Sequence, residues 1–317
     1  MTFAERPTLW GDWLQVMATA EVVSTSVGIH HLLIATDLSH QSDIVVHYGL
    51  DFARLFGAQA EIAYVLPAGE YALAGADGLM AGREAARRDL LELKSRLRRN
   101  ADYDDDTKHQ LNLLEGPVAE CLLQCARDKK IDLLIVGTHG RGGLGKIVLG
   151  SVAEKVFRHS PVPVLTIGPN IHRPGRWNVV REILAPCDLT PKSHPAVRYA
   201  CELAKAHRAR LTVLYVVEDA DEGVSVNAER DADAIRERLI DIVGRKAEGL
   251  DICYRIEFGR VAPAILGVAS DRKTELIVLG VRQSSGVLDR FQWPVAYQLI
   301  REATCPVLTI RGRAPVH

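Results

Sequence analysis

The chain has 317 residues, 47% of them hydrophobic and 25% charged, with a formal net charge of −1. That length suggests about two domains of ordinary size, and the composition is that of a soluble globular protein. Near-neutrality gives no bulk attraction to nucleic acid or an anionic membrane, and no apolar run approaches the roughly 18 residues that span a bilayer.

The N-terminus carries Glu5, Asp12 and Glu21 and lacks the basic start and apolar core of a secretory signal. The six cysteines are scattered, with no CxxC pair. Cys121 and Cys125 stand one helical turn apart on an apolar face, as reduced core thiols would. The expectation is a cytoplasmic protein. His, Cys and acidic residues show no ligand-like clustering, so no metal site is expected.

Residues 1–26 read as an extension, partly helical, with Trp10, Trp13, Leu14 and Met17 on one face. From residue 27 strands and helices alternate. Residues 32–37 (LLIATD) form an apolar strand. Residues 42–55 carry Ile44, Val45, Tyr48, Phe52 and Leu55 on one helical face, and Gly57 stops that helix. Residues 60–66 are the next strand, 69–82 a Gly- and Ala-rich loop, and 84–99 a charged helix with Leu90, Leu93 and Leu97 inward. Then come a strand at 110–115, a helix at 117–129 with Pro117 in its first turn, a strand at 131–136, a helix at 151–159 and a last strand at 162–167. Continuous apolar runs between amphipathic helices indicate a doubly wound parallel sheet.

The pattern then repeats. Asp37 at the first strand end matches Asp188, 151 residues on, while Gly116, Gly137 and Ile167 match Gly259, Gly280 and Ile310, each 143 on. The difference falls in the variable middle of the copies, and a Pro- and Gly-containing hinge lies near residues 169–176. The expected division is 27–170 and 171–317.

The centre of the first copy is residues 137–151, GTHGRGGLGKIVLGS. A strand, a glycine loop and a helix N-terminus form the arrangement in which backbone N–H groups converge on an anion. Ser151 and Glu154 fit a capping box for the helix. GRGGLG from Gly140 matches GxGxxG, but the next strand ends TIGP, without the acid a dinucleotide fingerprint needs. GRGGLGK nearly matches a Walker A loop, but Ile147 stands where a hydroxyl should reach magnesium. A third spacing fits without amendment: Gly137-x2-Gly140-x9-Gly150-Ser151, with Asp37 ending an earlier strand.

In that spacing the chain resembles the universal stress protein family, over nearly everything after residue 26. The resemblance implies two tandem α/β domains, each with strand order 3-2-1-4-5, a fold like that of the adenine nucleotide α-hydrolases. It implies ATP as ligand of the first copy, with Mg carried by the triphosphate. Ala35, Thr36 and Asp37 would line base and ribose, and Val65 would meet adenine through its backbone. Val136, Gly137, His139 and Gly140 would wrap the ribose and first phosphates. Gly150, Ser151 and Val152 would hold the outer phosphates, with Ala153 where some members carry a hydroxyl. Arg141 and Lys146 could add countercharge or lie on the surface. Taken singly, Asp37 could cap the next helix and the glycines could merely turn the chain.

In the second copy Gly150 and Ser151 become Trp293 and Pro294, and Gly137 through Gly140 become Gly280, Val281, Arg282 and Gln283. An indole would fill the phosphate space, and proline has no N–H to donate. This copy is expected not to bind ATP in the same way, with Phe291, Trp293 and Tyr297 in packing or an interface. Cys187 beside Asp188 reads as inert.

The expected function is a nucleotide-dependent regulatory or protective module with an unidentified protein partner. A slow ATPase and a nucleotide-independent scaffold are the alternatives. The last strand of each copy is an edge that tends to be covered. The family pairs such strands antiparallel, which implies an intrachain pseudo-dimer, with a further homodimer between chains.

Overall fold

A computed structural model describes residues 28–67, 69, 75–99, 108–138, 150–171, 179–191, 193–218, 228–281 and 293–311. The first copy contributes strands β1 (His31–Ala35), β2 (Gln59–Leu66), β3 (His109–Glu115), β4 (Leu133–Gly137) and β5 (Val164–Ile167). Its helices are α1 (Asp43–Phe56), α2 (Gly75–Arg99), α3 (Val118–Asp128) and α4 (Ser151–His159). The second contributes β6 (Glu182–Pro186), β7 (Arg210–Val217), β8 (Ile252–Phe258), β9 (Leu276–Val281) and β10 (Val307–Arg311), with α5 (His194–His207), α6 (Ala228–Val243), α7 (Val261–Asp271) and α8 (Trp293–Glu302).

The strands form one ten-stranded sheet in the order β3-β2-β1-β4-β5-β10-β9-β6-β7-β8. Each copy runs 3-2-1-4-5 and is parallel within itself, as a βαβ chain with right-handed crossovers requires. The copies join where β5 meets β10, and that pairing is antiparallel, as expected for these two strands.

The sheet is covered on both faces, which is why its central strands carry uninterrupted apolar runs. On one face α1, α2, α5 and α6 share a single core that crosses the seam, from Leu93 and Phe52 to Val197 and Leu239. At that crossing the rings of Phe56 and His207, equivalent residues 151 apart, meet edge to face at 5.1 Å. On the other face α3 and α4 cover one cluster, and α7 and α8 another that takes in Phe157.

Two local expectations are corrected. Helix α2 begins at Gly75, inside the stretch expected as loop. Its first turns are largely exposed, Met80 to 58%, with Leu79 alone of their large side chains packed on the core, so they carry little apolar stripe to betray them, while their alanines favour helix. Pro117 is the N-cap of α3 rather than a residue of its first turn. All six cysteines are free thiols; Cys125 is buried and Cys121 half-buried. The helix expected around Trp10–Met17 lies outside the described residues. Among the described residues no helix is long and apolar enough to cross a membrane.

Candidate functional site

Strand order reverses between β1 and β4, which pair directly with Ile34 opposite Ile135. In a doubly wound sheet this is where a crevice opens at the carboxyl ends of the strands. Thr36 and Asp37 leave β1 there, and Val136 and Gly137 end β4 beside them. Val65 lies one strand away, buried near the end of β2. It sits between the Ala63 carbonyl, which accepts from Thr36 N–H, and the Leu66 carbonyl, which accepts from Gly116 N–H.

The turn after β1 is tightly bonded. Asp37 Oδ1 accepts from Ser39 N–H at 3.0 Å and from Ser39 Oγ at 2.6 Å. Leu38 takes a left-handed φ of 65° and donates its N–H to Thr36 Oγ1. Thr36 Oγ1 lies 2.9 Å from Ser42 Oγ, which donates to the Ser39 carbonyl. Asp37 therefore holds its own turn through Ser39. It does not cap α1, whose N-cap is Ser42. The signal in the sequence is Asp-x-Ser, an Asx-turn pattern.

At β4 the chain leaves through Thr138, whose N–H reaches the Ile167 carbonyl, and the glycine loop closes with Gly150 N–H on the Thr138 carbonyl at 3.0 Å. A Cβ on Gly150 would stand 3.1 Å from that carbonyl oxygen, so the loop returns too closely for a larger residue to fit without adjustment. His139, Gly140, Arg141 and Lys146 lie outside the described residues.

Helix α4 starts at Ser151 with Gly150 as N-cap, so the expected capping box does not form. Glu154 instead pairs with Arg158 one turn on. The physical consequence favours a ligand. A helix leaves its first N–H groups without intrahelical acceptors, and a glycine cap has no side chain to take one. Ser151 and Val152 are exposed at this end, whereas Ala153 faces the core and can offer only its backbone. The arrangement presents backbone donors and the positive end of a helix dipole at the same carboxyl edge of the sheet as the Asp37 turn, which suits an anion at one end and a hydroxyl-bearing group at the other.

The second copy keeps half of this. Asp188 Oδ1 accepts from Thr190 N–H at 3.0 Å and from Thr190 Oγ1 at 2.7 Å, and Leu189 has φ 58°. Cys187 replaces Thr36, with Sγ 3.3 Å from Ser193 Oγ, and burial pushes its thiol pKa up. The other half differs: α8 opens on Trp293 and Pro294, and a proline there offers no N–H. Tyr297 of α8 reaches back to the first copy, its ring 5.6 Å from that of Phe157 and its hydroxyl accepting from Arg158 Nε at 2.9 Å.

The sequence model of the Universal stress protein family matches the chain twice, over residues 28–168 and 180–311. The chain belongs to the universal stress protein family. It is 22% identical over 292 residues to a universal stress protein of Mycolicibacterium smegmatis, covering 89% of this chain and 97% of that relative. A universal stress protein of Methanocaldococcus jannaschii is 30% identical over 139 residues, 43% of this chain and 80% of the relative. Among solved structures, a universal stress protein from Archaeoglobus fulgidus superposes with a TM-score of 0.69 at 21% identity, covering 93% of this chain and all of that one, at 100%. A second, from Pseudomonas aeruginosa, gives 0.62 at 16% identity over 90% of this chain and 94% of its own. The tandem fold of this family member is thereby shared along almost the whole chain.

Proposed function

We propose that this universal stress protein binds ATP in its first copy, residues 27–170, and acts in a stress response as a nucleotide-dependent regulatory or protective module. Mg would arrive with the triphosphate. In this reading Ala35, Thr36 and Asp37 line base and ribose, and Val65 meets adenine. Val136, Gly137, His139 and Gly140 enclose the ribose and first phosphates, and Gly150, Ser151 and Val152 hold the outer ones. The second copy, residues 171–317, serves as a partner that does not bind ATP in this way. The protein acts in the cytoplasm, as a homodimer, on a partner protein.

One observation carries this reading: the glycine-capped N-terminus of α4 returns to Thr138 at the end of β4, the strand paired with the one that ends in the Asp37 turn, while the equivalent helix α8 opens on Trp293-Pro294. A backbone donor present in one helix turn and missing at Pro294 in the other is what separates a phosphate site from a relic of one.

The test is a count of sites. The protein, stripped of nucleotide, is dialysed against labelled Mg-ATP to saturation. One mole bound per chain, lost in Gly150→Trp, supports the proposal. Two would refute the assignment of the second copy. None would reject ATP as the ligand and favour a scaffold.

A further inference from the structure

We infer that Arg96, on α2, is a positioning residue for Asp37. This rests on the ATP reading in so far as Asp37 touches the ligand. The guanidinium is forked onto Asp43, with Nε 2.9 Å from Oδ2 and Nη2 2.9 Å from Oδ1. The same Nη2 donates to the carbonyl of Leu38 at 3.2 Å. Arg96 is only 9% exposed at its side chain and Asp43 18%, so the pair is shielded from competing water.

The connection to Asp37 runs through one peptide group. The carbonyl that Arg96 holds belongs to the peptide joining Leu38 to Ser39. The N–H of that same peptide donates to Asp37 Oδ1 at 3.0 Å. A peptide is planar, so fixing the direction of its oxygen fixes the direction of its N–H, and with it the donor that pins the carboxylate. A cation on the oxygen also polarises the group and strengthens the N–H as a donor.

Such a hold steadies the turn, which also forms at Asp188, with Leu189 at φ 58°. Leu38 sits in the left-handed region, which disfavours a residue with a Cβ. Strained backbone of this kind persists where its surroundings over-determine it. Here the Leu38 amide is tied to Thr36 Oγ1 and its carbonyl to Arg96. In the second copy, His194 stands in place of Asp43, so the carboxylate that seats the guanidinium is missing from that position.

The test uses the full chain and three variants, Arg96→Gln, Arg96→Lys and Asp43→Asn. Two quantities are read: hydrogen exchange at the Ser39 amide without nucleotide, and affinity for adenosine, ADP and Mg-ATP. Arg96→Gln is expected to speed Ser39 exchange while exchange in β1 and β4 stays unchanged, and to weaken all three ligands by a similar factor, roughly tenfold for one charge-assisted hydrogen bond. Arg96→Lys keeps the charge without the fork and should fall between. Asp43→Asn leaves Arg96 in place and should act in the same direction, which preserves the test if Arg96→Gln fails to fold. Unchanged Ser39 exchange in the folded variants overturns the inference. So does faster exchange with unchanged affinity in a protein that binds ATP. If the wild-type chain binds none of the three ligands, the ATP reading falls, and the exchange rates alone decide whether Arg96 holds the turn.

Discussion

Leu165 and Leu308 are the same residue of the two copies, 143 positions apart, and they face each other across the β5–β10 seam. On either side Thr166 stands opposite Val307 and Val164 opposite Thr309, so the copies meet about a local two-fold axis through that leucine pair. Both leucines are fully buried. The seam is thus core, and one core cluster runs through it without interruption.

The axis exposes an asymmetry. Arg311 donates through Nη2 to the Phe157 carbonyl at 2.9 Å, near the end of α4. At the equivalent place Gly168 lies so close to the Ile300 carbonyl of α8 that a Cβ would come within 2.4 Å of its oxygen. Gly168→Ala is therefore expected to destabilise the protein by about 2 kcal/mol, since backbone must move to admit the methyl group. Urea unfolding of the two proteins checks this; equal midpoints and slopes would refute it.

Ser151→Pro separates stability from binding. Ser151 is the first residue of α4, where proline is well tolerated, and Gly150 has φ −59° and ψ 147°, the conformation a residue before proline adopts. The expected outcome is an unchanged melting temperature with Mg-ATP bound roughly tenfold more weakly, from loss of one N–H to a phosphate. Calorimetry and a thermal melt on the same sample read both.

His207 gives the fold an acid sensitivity. Burial beside Phe56 lowers its pKa below the ordinary 6.5, because the charged ring is poorly solvated there. Below 6.5 the unfolded chain binds a proton that the folded chain resists, so stability rises with pH in this window. The contribution of the neutral ring is present above 6.5, is lost as pH falls below that value, and levels off under the lowered folded value. His207→Phe should flatten the stability profile below about pH 6.5. Chemical denaturation at a series of pH values on either side of 6.5 would show it.

Tyr297 ties α8 to α4 through Arg158. Burial pushes its phenol up to about 12, so the hydroxyl stays protonated across the useful pH range. Tyr297→Phe keeps the ring on Phe157 and removes the hydroxyl that accepts from Arg158, at an expected cost of about 1 kcal/mol. A double-mutant cycle with Arg158→Met should return a coupling of that order; zero coupling would deny the bond a role.

Where the sequence was informative, a local pattern caused the structure. The run at 32–37 is apolar because both faces of its strand are covered, and Gly57 ends α1 in the left-handed conformation because it lacks a Cβ. The start of α2 was illegible because its exposed turns carry little apolar stripe. Ser151 was misread as a cap because S-x-x-E fits both a capping box and a helix already begun, and only the φ and ψ of Gly150 distinguish them.

The sequence by itself determined the duplication, the strand and helix order, the family and the paired positions of Asp37 and Asp188. Each of these is written in local periodicities or in motifs that recur at a fixed offset along the chain. Only the tertiary structure decided which residues the seam brings together, why Gly168 and Arg311 differ, and that Arg96 reaches Leu38 from 58 residues away. Those contacts form where distant parts of the chain return to one another, and such geometry is set by the packing of whole helices on the sheet. No local stretch of sequence records it.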